Sequence, residues 1–156
     1  MIETPQVVST EPRRTAKVHI TVSREGIAQV MGPGLAEIHA ALADQGVAPA
    51  GPWCTHHLRI DDKGFDFEIH VPVAAPVTPA GRVQPGEWPT TKVVRTVYYG
   101  GYEGLPGAWG EFDGWIAAHG HRGARDLWEC YTVGPESTPD PAGWRTELNR
   151  PLAAGD

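Results

Sequence analysis

This chain is poor in several things that would mark other classes of protein. Lys plus Arg total 13 against 19 Asp plus Glu, for a formal net charge of −6. Phosphate binding needs a basic face, so this balance argues against nucleic acid as the main partner. It mildly favours cationic ligands through long-range attraction. No apolar run of about 18 residues occurs, and the N-terminus, M-I-E-T-P-Q-V-V-S-T-E-P-R-R, has no apolar h-region, so neither a spanning helix nor a secretory leader is expected. A soluble, cytoplasmic protein with no membrane partner is expected. The only two cysteines, Cys54 and Cys130, form no C-x-x-C pair. Reduced thiols are the expectation for such a protein.

Chemical signatures are scarce too. His56-His57 and His119-x-His121 are present, but there is no H-E-x-x-H and no Cys/His spacing typical of zinc. These histidines read as structural or exposed, and neither metal nor cofactor is expected. Gly32-Pro33-Gly34 lacks the Lys-Ser/Thr of a phosphate loop and the third glycine of a dinucleotide turn, so helix entry is its expected role. No Ser-His-Asp or Cys-His arrangement is defensible from residue order.

What the chain does contain is the same plan twice. In the first half, Val18, Ile20 and Val22 alternate on a strand, followed by Leu35, Ile38, His39 and Leu42 at helical spacing. Gly46 is a plausible left-handed stop. Next come P-W-C-T-H-H-L-R-I, a D-D-K-G turn and F-D-F-E-I-H-V-P-V. The last of these puts Phe65, Phe67, Ile69, Val71 and Val73 on one face and Asp66, Glu68 and His70 on the other. In the second half a strand from about Lys92 to Tyr99 precedes a helix from Leu105 to His119, stopped by Gly120. L-W-E-C-Y-T-V and W-R-T-E-L-N-R-P-L supply two more strands. Trp53 matches Trp128, and Glu68-x-x-x-Pro72 matches Glu147-x-x-x-Pro151. A duplicated β-α-β-β unit is the economical reading.

The fold expected is α+β, one antiparallel sheet with both helices on one face and a ligand groove between repeats on the other. The 156 residues suit a single domain. Its parts are repeat 1 over about 5–73, a linker over about 74–82 and repeat 2 over about 83–152. Residues 134–143 read as a long hairpin loop.

The segment Gly100 to Tyr131 carries the strongest functional signal, because the strand L-W-E-C-Y embeds an acid, Glu129, among aromatics. Burying a carboxylate without a partner costs several kcal/mol or forces protonation. Glu129 and Tyr131 are two apart on a strand and point to one face. If the helices cover the face of Trp128 and Cys130, this pair faces the groove. The bland alternative for Glu129 is a surface acid at a sheet edge.

Gly100-x-Tyr102-x-x-Leu105, Ala108-Trp109, Trp115, Gly120, Glu129-x-Tyr131, Thr146-Glu147 and Pro151, in that order and spacing, resemble the GyrI-like small-molecule-binding domains, over roughly Pro5 to Leu152. These are the effector- or drug-binding domains of bacterial multidrug-sensing regulators, and this chain resembles their stand-alone form, with no residues left for a helix-turn-helix. The resemblance implies a groove that takes bulky lipophilic, cationic or aromatic compounds, a role in drug resistance, and a glutamate in the drug pocket that maps onto Glu129.

The lining expected around Glu129 and Tyr131 is Tyr102, Trp88, Trp53, Tyr98 and Tyr99, since aromatic faces attract cations and stack on flat guests. Repeat symmetry adds His56 and Cys54 on the opposite wall. Trp109, Phe112 and Trp115 are expected to pack helix on sheet. The resemblance leaves three functions open. One is binding, by sequestration or sensing. Another is hydrolysis of cyclopropane-containing alkylating natural products, with Glu129, Tyr131 and Tyr102 as catalytic residues. The third is protein binding of the gyrase-inhibitor type.

Overall fold

The computed structural model describes residues 2–153. In chain order its elements are β1 (Gln6–Ser9), β2 (Arg13–Val22), α1 (Ile27–Gln45), β3 (Cys54–Asp61), β4 (Gly64–Pro72), β5 (Gln84–Trp88), β6 (Lys92–Tyr99), α2 (Leu105–Ala118), β7 (Leu127–Val133) and β8 (Arg145–Pro151). Every named strand pair is antiparallel, and the fold is α+β as expected. The chain divides into two compact units, Glu11–Thr90 and the remainder.

In the unit Glu11–Thr90 the strands run β3-β4-β2-β5. The alternation in β4 is carried into space: Phe67, Ile69 and Val71 are buried and form a core with Val18 and Ile20 of β2 and Ile38 and Leu42 of α1. The intervening residues, with Glu68 opposite His19 and His70 opposite Lys17, lie on the face away from α1. The helix is longer than its periodicity suggests and contains Pro33 in its interior. Gly32-Pro33-Gly34 is therefore not a helix entry. A side chain at Gly34 would come within 2.7 Å of Ile69 Cδ1 and 3.1 Å of Ile20 Cδ1, so the glycine lets α1 lie close on the sheet. Gly46 ends the helix in the left-handed conformation at φ 66°, as expected.

The other unit takes the chain up to Thr10 and from Thr91 onward, with strands in the order β1-β6-β8-β7. Its core joins Val94, Tyr98, Leu127 and Leu148 of the sheet to Ala108, Trp109, Phe112 and Ile116 of α2. Glu129 stands opposite Leu148, and Tyr131 opposite Thr146. Directly paired residues share a face, so Glu129 and Tyr131 lie on the side that packs against α2. The expectation that α2 covers Trp128 and Cys130 instead is corrected: α2 carries Trp109, whose indole N–H needs an acceptor when buried, and Glu129 supplies it.

Neither cysteine is a free thiol; Cys54 and Cys130 are both disulfide-bonded and buried. The expectation of reduced thiols is thereby corrected. Lack of a C-x-x-C spacing excludes only local pairing and says nothing of partners brought by the fold.

Two outcomes are expected. Denatured, unreduced protein should show no free thiol on titration, and two per chain after reduction; thiols before reduction would contradict the bonded state. Gly64 has φ 144° in the β3–β4 turn, and an added Cβ would meet the Val22 carbonyl oxygen at 2.2 Å. Gly64→Ala should therefore lower unfolding free energy by at least about 2 kcal/mol in urea denaturation.

Candidate functional site

Glu129 sits in the middle of β7, where strand alternation turns it toward α2 and its aromatic residues. It is 8% exposed. Its Oε2 accepts the Trp109 Nε1–H at 2.7 Å, and its Oε1 accepts the Tyr131 hydroxyl at 2.7 Å. Both donors are neutral. Burial pushes the Glu129 carboxyl above its ordinary value, while the bonds from Tyr131 and Trp109 pull it partly back. Arg150 lies over the Trp109 ring at 4.9 Å but directs its guanidinium to Asp113.

Around this acid the aromatic residues form a wall. The Tyr102 ring meets Tyr131 edge-on at 5.8 Å between centroids and Trp144 at 4.8 Å. Tyr102 follows the Gly100-Gly101 turn, which opens a short 3-10 turn leading into α2. Its hydroxyl is held above the usual phenol range by burial first, then by the negative charges of Glu136 and Glu129. Trp144 Nε1–H donates to the Thr138 carbonyl at 2.9 Å, so the 134–143 hairpin loop fixes the indole that backs Tyr102.

The structure thus brings together Glu129, Tyr131 and Tyr102, and adds Trp109 and Trp144, which sequence reasoning left in the core or unmentioned. A Trp four residues after Leu105 on the helix is a plain core signal; only the turning of Glu129 toward α2 reveals the indole as an acid's donor. Tyr98 belongs to the core, its hydroxyl donating to the Gly101 carbonyl at 2.9 Å, and so braces the turn that carries Tyr102. Tyr99 lies on the other face, bonded to Glu3 and under the Arg145 guanidinium at 4.3 Å. Trp53 packs on the core of the unit Glu11–Thr90, and Trp88 is buried on its β5 strand. Cys54 is disulfide-bonded, and His56 faces Glu68.

That last pair opens a second cluster, missed because its members are spread over three strands. His56 and Glu68 are cross-strand partners, and His70 follows Glu68 by two on the same face. Glu68 Oε1 lies 2.9 Å from His70 Nε2 and 3.6 Å from His56 Nδ1, and Lys17 Nζ donates to Oε2 at 2.8 Å. Burial acts to raise the Glu68 pKa, but the bonds from His56, His70 and Lys17 outweigh it and hold the carboxyl well below its usual range. The Glu-x-His alternation of β4 was the available signal. His57, one residue on from His56, turns to the core, stacks on Phe67 at 5.2 Å, and is pushed down to about 4 by burial.

A buried acid held by indole and phenol donors thus stands within an α+β frame. The chain belongs to the GyrI-like small molecule binding domain family, whose model matches residues 4–153. No curated protein matches the sequence. Among solved structures the EcmrR C-terminal domain is similar at TM-score 0.83 and 18% identity, over 96% of this chain and 97% of that one. In the EcmrR–DNA complex the likeness has TM-score 0.81 and 19% identity, over 96% of this chain but only 57% of the EcmrR chain. A hydrolase encoded by lin2189 from Listeria innocua is similar at TM-score 0.68 and 14% identity, over 96% and 91% of the two chains. SAV2435, solved bound to tetraphenylphosphonium, is similar at TM-score 0.69 and 13% identity, over 97% and 95%. At these identities the likeness carries the fold alone. Among the described residues no helix is long and apolar enough to cross a membrane.

The raised Glu129 pKa has a sign that stability measurements read. A carboxyl whose folded pKa lies above its unfolded value of 4.5 stabilises fully below that value, and the contribution is lost as pH rises through the folded pKa. Wild-type stability should therefore fall, relative to Glu129→Gln, as pH climbs above 4.5. Parallel urea-stability profiles for the two proteins from acid to neutral pH would contradict this.

Proposed function

We propose that this protein binds bulky lipophilic cations and flat aromatic compounds at Glu129, as a multidrug-binding domain that sequesters or senses them. One observation carries the reading: an acid that has lost its water and has only neutral hydrogen-bond donors, Trp109 and Tyr131, beside an aromatic wall. A carboxylate offers about four lone-pair sites, and two are used here. Its charge remains unbalanced, so a guest that brings a positive charge supplies the counter-ion as both lose water. Tyr102, Tyr131 and Trp144 offer the faces, each attracting a cation by about 0.5–2 kcal/mol. The tetraphenylphosphonium bound by SAV2435 is a guest of this chemistry on a similar fold. The net charge of −6 favours such ligands over nucleic acid as partners.

A second reading, hydrolysis of cyclopropane-containing alkylators, is favoured by the position of the Glu129 carboxyl beside the Tyr131 hydroxyl and the Tyr102 ring, where burial raises its pKa and makes it a stronger base than an exposed carboxylate. Glu129 would take a proton from water as the water oxygen bonds to a ring carbon and a ring C–C bond breaks. The Tyr131 hydroxyl already donates to Glu129 Oε1, so Tyr102 is the hydroxyl left to stabilise the departing negative charge.

Tetraphenylphosphonium should bind with roughly micromolar affinity, and neutral triphenylphosphine oxide more weakly. Glu129→Gln should weaken the cation about tenfold, near 1.4 kcal/mol, and leave the neutral compound almost unchanged. A proton and a cation compete for the same charge, so cation affinity should rise with pH through the raised Glu129 pKa. Equal titration of both compounds by wild type and variant would overturn the role given to the acid. If the chain is a hydrolase, Glu129→Gln should instead cut turnover of a cyclopropane alkylator by about a hundredfold or more, seen as loss of the water adduct by mass spectrometry.

A further inference from the structure

We propose that His56 Nδ1, His70 Nε2 and Glu68 Oε1 form a binding site for one divalent zinc-type cation on the face of the β2-β3-β4 sheet turned away from α1. The three ligand atoms lie within 4.8 Å of one another. Two of the separations, 2.9 and 3.6 Å, bracket the spacing of about 3.3 Å between donors around a tetrahedral ion with bonds of about 2.0–2.1 Å. Two imidazoles and one carboxylate are the donor set of an open zinc site, with a fourth position left for water or a ligand. All three come from paired strands, so the backbone fixes their spacing: His56 stands opposite Glu68, and His70 is two residues along the same strand.

The surroundings fit this use. Thr15 Oγ1, buried on β2, lies 2.7 Å from His70 Nδ1. A hydroxyl both donates and accepts, so it can serve either tautomer of the ring. With a proton on Nε2, His70 donates to Glu68 and Nδ1 accepts from Thr15. When a metal takes Nε2, the ring proton sits on Nδ1, and that N–H donates to Thr15 Oγ1. Such a partner on the second ring nitrogen is what orients metal-ligating histidines. Lys17 takes Glu68 Oε2 and leaves Oε1 to the ion. Its ammonium is a like charge that the ion must tolerate, and its side chain is 31% exposed, free to turn into water. His19, opposite Glu68 on β2, is engaged by Asp66 and is not a ligand.

The test uses the full chain stripped with chelator, titrated calorimetrically with Zn²⁺ alone, and with Co²⁺ to read d–d absorption. Saturable binding of one ion per chain, with the intense visible band of low-coordinate cobalt, is expected. His56→Ala, a change at a half-buried site, should weaken binding at least about tenfold, and Thr15→Val, which keeps shape but removes the hydroxyl, by about 10–100-fold. Lys17→Met should bind as tightly as wild type or tighter. His119→Ala, on the other unit, should bind like wild type. No saturable binding by wild type, or unchanged binding in folded His56→Ala and Thr15→Val, would overturn the site. Loss in His119→Ala instead would locate the metal elsewhere and also overturn it.

Discussion

Glu129 has exchanged nearly all its water for two hydrogen bonds, one from an indole and one from a phenol. Much else in its unit follows from that exchange. Hydrogen bonds to a charged group are worth about 1.5–3 kcal/mol, yet removing one partner leaves the full desolvation cost of the group. The bond from Trp109 therefore ties α2 to β7 by more than apolar packing with Phe112 and Ile116. It also holds the helix in the rotation that presents Trp109 to the sheet. Tyr98, Tyr102 and the Gly100-Gly101 turn complete the support, since the Tyr98 hydroxyl grips the turn from which Tyr102 projects.

Glu68 and Glu129, both on sheet faces, resolve the same problem in opposite ways. Glu68 is ringed by Lys17, His56 and His70, and its pKa is held low. Glu129 has neutral donors and its pKa is raised by burial. The difference traces to which face each strand offers. The face away from α1 is partly wet and admits a lysine stem with its charged head in water. Under α2 the Glu129 carboxylate meets the neutral donors Trp109 and Tyr131, and the nearby Arg150 spends its guanidinium on Asp113.

Alternation made much of this legible in advance. Phe67, Ile69 and Val71 had to share a face, and Leu105, Trp109, Phe112 and Ile116 had to share a helix stripe; all are buried in the structure except Leu105, which is half-buried against the same core. Period alone, however, says which residues share a face and not which face meets a helix. Glu129 and Tyr131 were paired correctly and assigned to the wrong side for that reason. Pro33 misled in another way: a proline between two glycines reads as a boundary, but here it lies inside α1, where Gly34 lets the helix lie close on Ile20 and Ile69. The bonded state of Cys54 and of Cys130 lay beyond reach because the partner of a cysteine outside a local motif is set by the fold. Trp144 was equally silent, its place behind Tyr102 set by a loop whose conformation depends on a bond to Thr138.

The contrast between the two acids also bears on what each can recognise. A carboxylate already neutralised by Lys17 gains little from an organic cation, because the guest would only replace one ammonium with another. A metal ion differs, since it takes imidazole lone pairs that an ammonium cannot use, and so draws on His56 and His70 as well as on charge. Glu129 has the reverse character. It offers one unbalanced charge and no nitrogen lone pair, in a setting of flat rings, which suits a large cation whose charge is spread and weakly hydrated. On the two proposals made above, selectivity between hard, compact ions and soft, lipophilic ones would follow from the partners that each strand face gives its acid.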